Sequence, residues 1–449
     1  MKRILFYSLL VSVLAFSTKA QTWSPVGSGI SGSAANTTWS LYTYDSLLYA
    51  GGWFENAGGV NVNNMAQWNG TSWGPTGIGS SGYISAMATY KGNVYAGGLF
   101  DTMGGVVAHN IAMWNGSSWA PVGSGIKTVQ YGPYAMAVYN GDLYVGGSFD
   151  SAGGKLIYGI AKWDGTSWST LGTGIIYTDE ESGVFAMTVF KGELYFSGEF
   201  VFSGGTNIAK WNGTTLSTVG GGAVGPIYSL AVNGGDLYAG GFFTEAGATA
   251  VNNIAMWDGT NWYALDSGIT GEAGWASVNT MASYNGELYI GGYFDTVNGM
   301  PINCIAKWNG SAWSSVGTGI GVGGSLDAMA VYNNSLYVGG GFDSAGGVYA
   351  QNIAMWTIPN AVNNLADKPV NVQIFPNPVT NTLNINATGF SSPGLYYSVY
   401  NCLGQLVLTG KFTSRQNNNT IDVSSFASGL YLLSVISDNK SYTCKFIKE

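Results

Sequence analysis

The sequence predicts an all-β fold built from repeated four-stranded units, and three observations support this prediction. Glycine contributes 69 of 449 residues, aromatic residues 14% and charged residues only 9%, a composition typical of short strands joined by tight turns. A segment of the form Leu-Tyr-x-Gly-Gly occurs seven times, and two tryptophan positions recur with it. The chain is therefore expected to be a folded repeat protein, since a disordered one would be poorer in aromatic residues and richer in charge.

The repeated segment sets the period of the fold. Its copies are at residues 48–54, 94–101, 143–150, 194–200, 237–243, 288–295 and 336–343, and the copy at 194–200 is degraded. Their spacing of about 43 to 51 residues is the size of a four-stranded propeller blade.

Each unit carries four strand signals. A small, apolar strand such as residues 135–139 precedes a turn at Asn140-Gly141, and the Leu-Tyr-x-Gly-Gly strand follows. The third strand has the form Asn-Ile-Ala-x-Trp, and an Asn-Gly or Asp-Gly pair leads into a fourth strand that begins with tryptophan in most units. We expect this third-to-fourth connection to be a two-residue type I′ turn, because Asn, Asp and Gly tolerate positive φ best.

The last unit lacks a fourth strand after Trp356, and residues 22–27 at the start of the mature chain resemble the missing piece. Pairing of the N-terminal strand into the last blade removes open sheet edges. The prediction is a seven-bladed β-propeller over residues 21–357, closed by that strand. The paired glycines and recurring aromatics resemble the kelch family of propellers, and the Asn-Ile-Ala-x-Trp-Asn-Gly string is similar to Rax2-like fungal repeats. Both resemblances imply fold and no particular function.

The N-terminus and the charge balance bear on where the chain acts. Lys2 and Arg3 precede an apolar run at residues 4–16, so residues 1–20 are predicted to be a signal peptide and Gln21 the mature start. That run is shorter than the ~20 residues of a membrane span, and no transmembrane segment is expected elsewhere. The net charge of −8 argues against nucleic acid as a partner, because such binding needs a basic surface.

The C-terminal part has a different pattern. Residues 358–371 are interpreted as a linker, and residues 372–449 predict about seven short strands of a small Ig-like β-sandwich. Its ordered motifs resemble the type A C-terminal sorting domain of the type IX secretion system. They contain Pro376, Asn377, Pro378, Gly404, Gln405, Asp422, Gly429, Tyr431 and Lys445. The resemblance implies a bacterium of the Bacteroidota lineage, the type IX secretion machinery as a partner, and a secreted or outer-membrane-surface location reached through the periplasm.

Residues that could carry catalysis are scarce. The single histidine, His109, is interpreted as an incidental loop residue, and Cys304 as a buried free thiol at a position that is Asn in most copies. Cys402 and Cys444 share the C-terminal domain, and a disulfide or two free thiols both stay open. Four aspartates recur after the second strand, which suggests an Asx-type turn bond, with calcium as the alternative. They are Asp101, Asp150, Asp295 and Asp343. No catalytic residue, metal or cofactor is predicted.

The variable connections on one face carry aromatic residues suited to glycan stacking or protein contacts. The predicted binding residues are Trp39, Tyr131, Tyr134, Tyr177 and Trp275. The same aromatics could instead cover the ends of the core. The sequence therefore predicts a monomeric, non-enzymatic binding or adhesion protein for a glycan or a surface protein. A secreted carbohydrate-active hydrolase or lyase, and a structural surface component, are the alternatives.

Overall fold

The computed structural model describes residues 21–32, 36–128, 131–171, 175, 182–321, 323–358, 371–388, 395–401, 406–412, 419–437 and 440–449. These belong to two compact units, one within Ala20–Ile358 and one within Pro359–Glu449. The prediction of an all-β protein is confirmed, because strands dominate both units and the one helix among the described residues is a 3₁₀ turn, Glu272–Gly274.

The larger unit contains seven four-stranded antiparallel sheets, here numbered in chain order. Their strands are Thr37–Tyr44, Leu47–Trp53, Met65–Trp68 and Trp73–Pro75 in sheet 1; Tyr83–Tyr90, Asn93–Leu99, Ile111–Trp114 and Trp119–Pro121 in sheet 2; Pro133–Tyr139, Asp142–Gly147, Ile160–Trp163 and Trp168–Thr170 in sheet 3; Gly183–Phe190, Glu193–Phe202, Gly205–Trp211 and Leu216–Thr218 in sheet 4; Ile227–Asn233, Asp236–Gly241, Ile254–Trp257 and Trp262–Ala264 in sheet 5; Ser277–Tyr284, Glu287–Tyr293, Ile305–Trp308 and Trp313–Ser315 in sheet 6; Ser325–Tyr332, Ser335–Gly341, Ile353–Thr357 and Thr22–Pro25 in sheet 7.

Sheet 7 combines both ends of this unit. Its fourth strand, Thr22–Pro25, pairs antiparallel with Ile353–Thr357, and Trp23 lies opposite Trp356. The first strand of each sheet contacts the first strand of the next, and the first strand of sheet 7 contacts that of sheet 1. The seven first strands therefore surround a common centre.

Small hairpins join the second and third strands of most sheets. Four of them form three-stranded sheets with the chain that leads out of the preceding sheet, and two form two-stranded sheets. The three-stranded ones are Ile30–Ser31, Asn56–Ala57 and Val60–Asn61; Ile126–Lys127, Ser151–Ala152 and Lys155–Leu156; Ala223–Val224, Glu245–Ala246 and Thr249–Ala250; Ile269–Thr270, Thr296–Val297 and Met300–Pro301. The two-stranded ones are Thr102–Met103 with Val106–Val107, and Ser344–Ala345 with Val348–Tyr349.

The predicted turn type is wrong for the connection between the third and fourth strands. In sheet 1, Trp68 pairs directly with Trp73, so the loop has four residues, and the Asn69 N–H donates to the Ser72 carbonyl at 3.2 Å. The Asn69 side chain accepts the N–H groups of Thr71 and Ser72 at 2.9 and 2.8 Å. Asparagine is needed here as a side-chain acceptor, and only Gly70 takes a positive φ, of 96°.

Two-residue turns with positive φ at both positions do occur, between the first and second strands. Asn140 and Gly141 have φ values of 50° and 84°, and Tyr139 pairs with Asp142 across them. This backbone matches the right-handed twist of the flanking strands.

The recurring tryptophans connect neighbouring sheets. Within a sheet the rings of the third and fourth strands pack at centroid distances near that of Trp68 and Trp73, 5.3 Å. In six sheets the indole N–H of the fourth strand donates to a buried backbone carbonyl of the preceding sheet's outgoing chain. The donor–acceptor pairs are Trp73–Val26, Trp119–Thr76, Trp168–Val122, Trp262–Val219, Trp313–Leu265 and Trp23–Val316.

A recurring asparagine provides a second connection, and Cys304 replaces it in sheet 6. Asn110 accepts the Phe100 N–H at 2.9 Å and donates to the Ile126 carbonyl at 2.8 Å. Cys304 has a similar backbone, with φ of 60°, and its thiol donates to the Gly324 carbonyl at 3.1 Å. The prediction of a buried free thiol is confirmed, and burial raises the pKa of this thiol.

The smaller unit consists of two sheets that share one core. A three-stranded sheet contains Asn371–Phe375, Thr382–Thr388 and Asn419–Asp422, and a four-stranded sheet contains Leu406–Phe412, Leu395–Asn401, Gly429–Ser437 and Lys440–Lys448. Leu383 and Ile385 of the first sheet pack with Val399, Leu433 and other residues of the second. Cys444 is half-buried with a free thiol, and burial raises its pKa to about 11, whereas Cys402 lies outside the described residues.

Replacing Trp119 with Phe should lower the free energy of unfolding of the larger unit by about 2 kcal/mol, because the buried Thr76 carbonyl loses its 2.7 Å hydrogen bond. Trp313→Phe is the matched control, since it removes the same volume but a longer bond of 3.4 Å to Leu265. Urea denaturation of the full chain, followed by tryptophan fluorescence, measures both. An equal loss of stability in the two variants would contradict a role for the hydrogen bond.

Candidate functional site

Every first strand of the larger unit contains a β-bulge at the same repeat position. In sheet 2, Ile84 pairs with Gly98 and Ala86 with Gly97, so Ser85 is the extra residue without a partner across the ladder. The equivalent residues of all seven sheets are Trp39, Ser85, Tyr134, Phe185, Tyr228, Asn279 and Asp327. Their side-chain chemistry differs from sheet to sheet, whereas the flanking residues are apolar or small.

The bulge explains the second glycine of the Leu-Tyr-x-Gly-Gly strand. A Cβ atom on Gly98 would lie 2.0 Å from the Tyr83 carbonyl oxygen of the same sheet, and one on Gly52 would lie 2.1 Å from that of Thr37. The first glycine has a different reason. A Cβ atom on Gly97 would lie 2.5 Å from the Met136 side chain of the next sheet. The second position requires glycine because its Cβ would meet backbone, whereas the first position meets side-chain atoms and is Ser197 in sheet 4.

The seven bulged residues line one cavity of about 520 Å³ at the centre of the ring of first strands, here called the central cavity. Tyr83 and Tyr131 complete its lining. A second cavity of about 280 Å³ shares Ser85, Tyr134, Phe185, Tyr228 and Asn279 with it and includes deeper first-strand residues. The site is therefore a property of the whole ring and of no single sheet.

Aromatic rings cover the side of the central cavity formed by sheets 1 to 5. Trp39 contacts Tyr83 edge-to-face at a centroid distance of 4.8 Å. Tyr134 contacts Phe185 at 5.5 Å, and Phe185 contacts Tyr228 at 5.7 Å. Burial raises the pKa of Tyr83 to about 12, so its hydroxyl stays neutral and can donate a hydrogen bond throughout the physiological range.

Polar groups cover the opposite side, on sheets 6 and 7. The Asn279 amide donates to one carboxyl oxygen of Asp327 at 3.0 Å, and the Ser325 hydroxyl donates to the other at 3.2 Å. The Ser277 hydroxyl in turn donates to the Asn279 carbonyl oxygen at 2.7 Å. Burial raises the pKa of Asp327 despite these two hydrogen bonds.

Three of the five predicted binding residues, Trp39, Tyr131 and Tyr134, line the central cavity. Trp275 lies outside that lining: it is 67% exposed and stacks on Phe242 at a centroid distance of 5.6 Å, with ring planes 9° apart. Tyr177 lies outside the described residues.

Six lining residues are absent from the predicted binding residues: Tyr83, Ser85, Phe185, Tyr228, Asn279 and Asp327. The available signal was a single variable position that follows an apolar residue in six of the seven first strands and precedes a small residue and then Met or Leu in all seven, as in Val184-Phe185-Ala186-Met187. The paired glycines were a second signal, because a glycine inside a strand marks a bulge or a close backbone approach.

The four recurring aspartates form a backbone bond in place of the predicted Asx-type turn. Their carbonyl oxygens accept the N–H seven residues later, as in the 2.8 Å bond from Ile302 to Asp295. The Asp295 and Asp343 carboxylates accept the hydroxyls of Thr296 and Ser344. Across the described part of the chain, no group of three or more His, Cys, Asp or Glu residues could hold a metal ion. His109 is exposed, and its carbonyl accepts the Ile126 N–H.

The motif residues of the smaller unit hold its strands together. The Asn377 side chain accepts the Ile447 N–H at 2.9 Å and donates to the Lys445 carbonyl at 3.2 Å, which ties residues 376–378 to the last strand. Tyr431 stacks on Phe446 at 5.5 Å and donates to the Ala427 carbonyl. Asp422 accepts the Ser424 N–H, and hydrogen bonds from Ser424 lower the pKa of this carboxyl. Gly429 begins a strand, and Gly404 and Gln405 lie outside the described residues.

Residues 373–449 match the family described as the secretion system C-terminal sorting domain. This match indicates a protein secreted through the type IX system to the cell surface or the medium. Within the described residues, no helix has the length and apolarity needed to cross a membrane.

No curated protein matches the chain significantly. Among solved structures, it is similar to a protein of unknown function from Bacteroides thetaiotaomicron, at 12% identity and a TM-score of 0.38 over 75% of this chain and 76% of that one. It is also similar to an α-L-arabinofuranosidase from Clostridium thermocellum, at 13% identity and a TM-score of 0.25 over 74% and 96% of the chains. Dimeric latent PorU from Porphyromonas gingivalis matches at 11% identity and a TM-score of 0.16 over 68% and 31%. Scores this low assign neither a function nor a ligand.

Gly98→Ala should destabilise the larger unit by about 3 kcal/mol, because the new methyl group would overlap the Tyr83 carbonyl oxygen. Gly74→Ala is the control: Gly74 also lies in a strand, but its new Cβ would find its nearest neighbour at 3.8 Å, so a change within about 1 kcal/mol is expected. Urea denaturation compares the two. Equal effects would show that the close approach at the bulge is not limiting.

Asp327→Asn should make stability less dependent on pH. Because the folded-state pKa of Asp327 is raised, the folded chain holds this proton more tightly than the unfolded chain, and stability falls as pH rises from the ordinary aspartate value toward the raised one. The variant's stability relative to the unmodified chain should therefore increase as the pH rises above the ordinary aspartate value of about 4. Denaturation at a series of pH values measures this difference, and a constant difference would rule out a raised pKa.

Proposed function

We propose that this protein is a secreted or surface-attached binding protein whose seven-bladed β-propeller holds a ligand in its central cavity. The observation that carries the proposal is the convergence of seven bulged residues, one from each sheet, on a single cavity of about 520 Å³. Ligand sites are concave, mostly apolar, and contain a few oriented polar groups, and their volumes run from about 300 to 1,000 Å³. The central cavity has this composition and size.

The propeller assignment rests on seven four-stranded sheets, on the contact between the first strands of sheets 7 and 1, and on the pairing of Thr22–Pro25 with Ile353–Thr357. We assign it to residues 21–357 and the Ig-like sorting domain to residues 372–449, joined by a linker at 358–371. The kelch-like character of the repeat is part of this proposal. Each sheet then supplies one wall position of a shared site.

The variation among the bulged residues favours binding over a purely structural role. In the repeated positions around them, apolar or small residues serve the packing of neighbouring sheets. The bulged position carries Trp, Ser, Tyr, Phe, Tyr, Asn and Asp in turn, so the ring is aromatic on one side and polar on the other. A site that is different on its two sides can orient a ligand.

Hydrolysis of a glycan is the second candidate, and the cavity supports it less well. Glycosidases of the common type place two carboxyl groups about 5 to 10 Å apart across the scissile bond. Asp327 is the one carboxyl group among the described lining residues of the central cavity. Binding without product formation is therefore the expected behaviour.

A screen of glycans and small molecules against the full mature chain, scoring binding by calorimetry and products by chromatography, tests the proposal. Phe185→Ala and Tyr228→Ala should each weaken a cavity ligand about tenfold or more, since each removes one aromatic wall. Tyr349→Ala is the control, because this ring is 68% exposed in an outer hairpin away from the cavity.

Trp275→Ala tests whether the ligand binds in the central cavity or on the exposed Trp275 outside its lining. Binding that is lost in this variant but kept in Phe185→Ala would move the site to the exposed Trp275–Phe242 pair. Released products would contradict the binding assignment and favour the hydrolase.

A further inference from the structure

We propose that the central cavity recognises a ligand with a quaternary or protonated ammonium group on a small apolar body. The Asp327 carboxylate would be the counter-charge and the aromatic rings would surround the rest. This inference rests on the proposed binding function and names the chemical class of its ligand.

The charge of the cavity favours a cation. Asp327 is the one carboxylic acid in the described lining, which contains no lysine, arginine or histidine. Asp327 has two hydrogen-bond partners, Asn279 and Ser325, and both are neutral. The desolvation that raises the pKa of this carboxyl would be offset by an ammonium group beside it.

The aromatic side suits the same ligand. Trp, Tyr and Phe attract ammonium groups through the electron-rich faces of their rings, and the attraction is largest where water is excluded. Trp39 lies on the first strand of sheet 1, which contacts the first strand of sheet 7 that carries Asp327. Six aromatic side chains lie in the lining on the side of sheets 1 to 5, so the apolar part of the ligand has several rings to contact there.

Two other ligand classes fit less well. An anion would meet a carboxyl group and no positive side chain in the described lining. A neutral sugar presents hydroxyl groups around its whole edge, whereas the non-aromatic polar side chains that line the cavity are Ser85, Asn279 and Asp327. Ser85 already donates its hydroxyl hydrogen to the Pro133 carbonyl at 2.5 Å. Because the lining is aromatic on one side and carries a carboxyl group on the other, it favours a ligand with one charged end.

Isothermal titration of the full mature chain with choline tests the inference, and 3,3-dimethyl-1-butanol, in which carbon replaces the nitrogen, is the matched neutral probe. Choline should bind at least about tenfold more tightly than the neutral probe. Asp327→Asn should remove that preference, because the amide keeps the shape of the carboxyl but not its charge. Tyr349→Ala should leave it unchanged, and thermal unfolding verifies that each variant is folded.

Phosphatidylcholine vesicles distinguish the two sources of this chemistry. Co-sedimentation that is lost in Asp327→Asn assigns a lipid headgroup, whereas choline binding without co-sedimentation assigns a soluble amine. Both results support the shared ammonium chemistry.

Equal binding of choline and its neutral isostere, a choline preference that survives Asp327→Asn, or no binding of choline at all would overturn the inference. If a neutral oligosaccharide bound instead and Phe185→Ala abolished that binding, the ammonium class would fall and the binding function would stand. If Phe185→Ala and Tyr228→Ala changed the binding of no ligand in the screen, both would fall.

Discussion

The structure of the larger unit depends on a backbone contact that only glycine permits. At the second glycine of each repeated strand, a Cβ atom would lie 1.9 to 2.4 Å from the facing carbonyl oxygen, and at Gly98 the distance would be 2.0 Å. The missing side chain lets the first strand take in one extra residue while the strands stay paired on both sides of it. The bulge turns that residue out of the ladder, and the contact between neighbouring first strands brings seven such residues to one cavity. The close backbone contact at glycine therefore determines which seven side chains line the cavity.

This arrangement separates the residues that hold the ring together from those that line its cavity. The indole N–H bonds, such as that from Trp119 to Thr76, lie on the fourth strands and connect one sheet to the preceding one. The bulged residues lie on the first strands, and their side chains do not enter that network. Each can change without altering a tryptophan contact, so a ligand site can diversify on a constant frame.

The repeat and its four strands could be predicted from the sequence, because they are periodic. The four strands of each unit and the pairing of the N-terminal strand with Ile353–Thr357 follow from motifs that recur at fixed spacing. Asp327 and Asn279 could not be predicted as site residues in the same way, because the site uses the position where the repeat varies. The turn after Trp68 was mistaken for a two-residue one, because Asn-Gly fits either a type I′ turn or a longer loop with a side-chain acceptor. The register of the flanking strands decides between a two-residue turn and a four-residue loop, and this register cannot be inferred from the residue types of the turn.

Sheet 4 lacks the indole hydrogen bond to the preceding sheet but keeps the bulge in its first strand. Leu216 stands where the other sheets carry the donating tryptophan, so the indole bond to the preceding sheet cannot form. The second and third strands of this sheet are longer because they include the hairpin that is a separate ladder in the other six sheets, so Val201 pairs with Thr206 as Asn56 does with Asn61 in sheet 1. The bulge at Phe185 and the glycine facing it, Gly198, are nevertheless retained. The bulge is thus present in all seven first strands, whereas the indole hydrogen bond between neighbouring sheets is present in six.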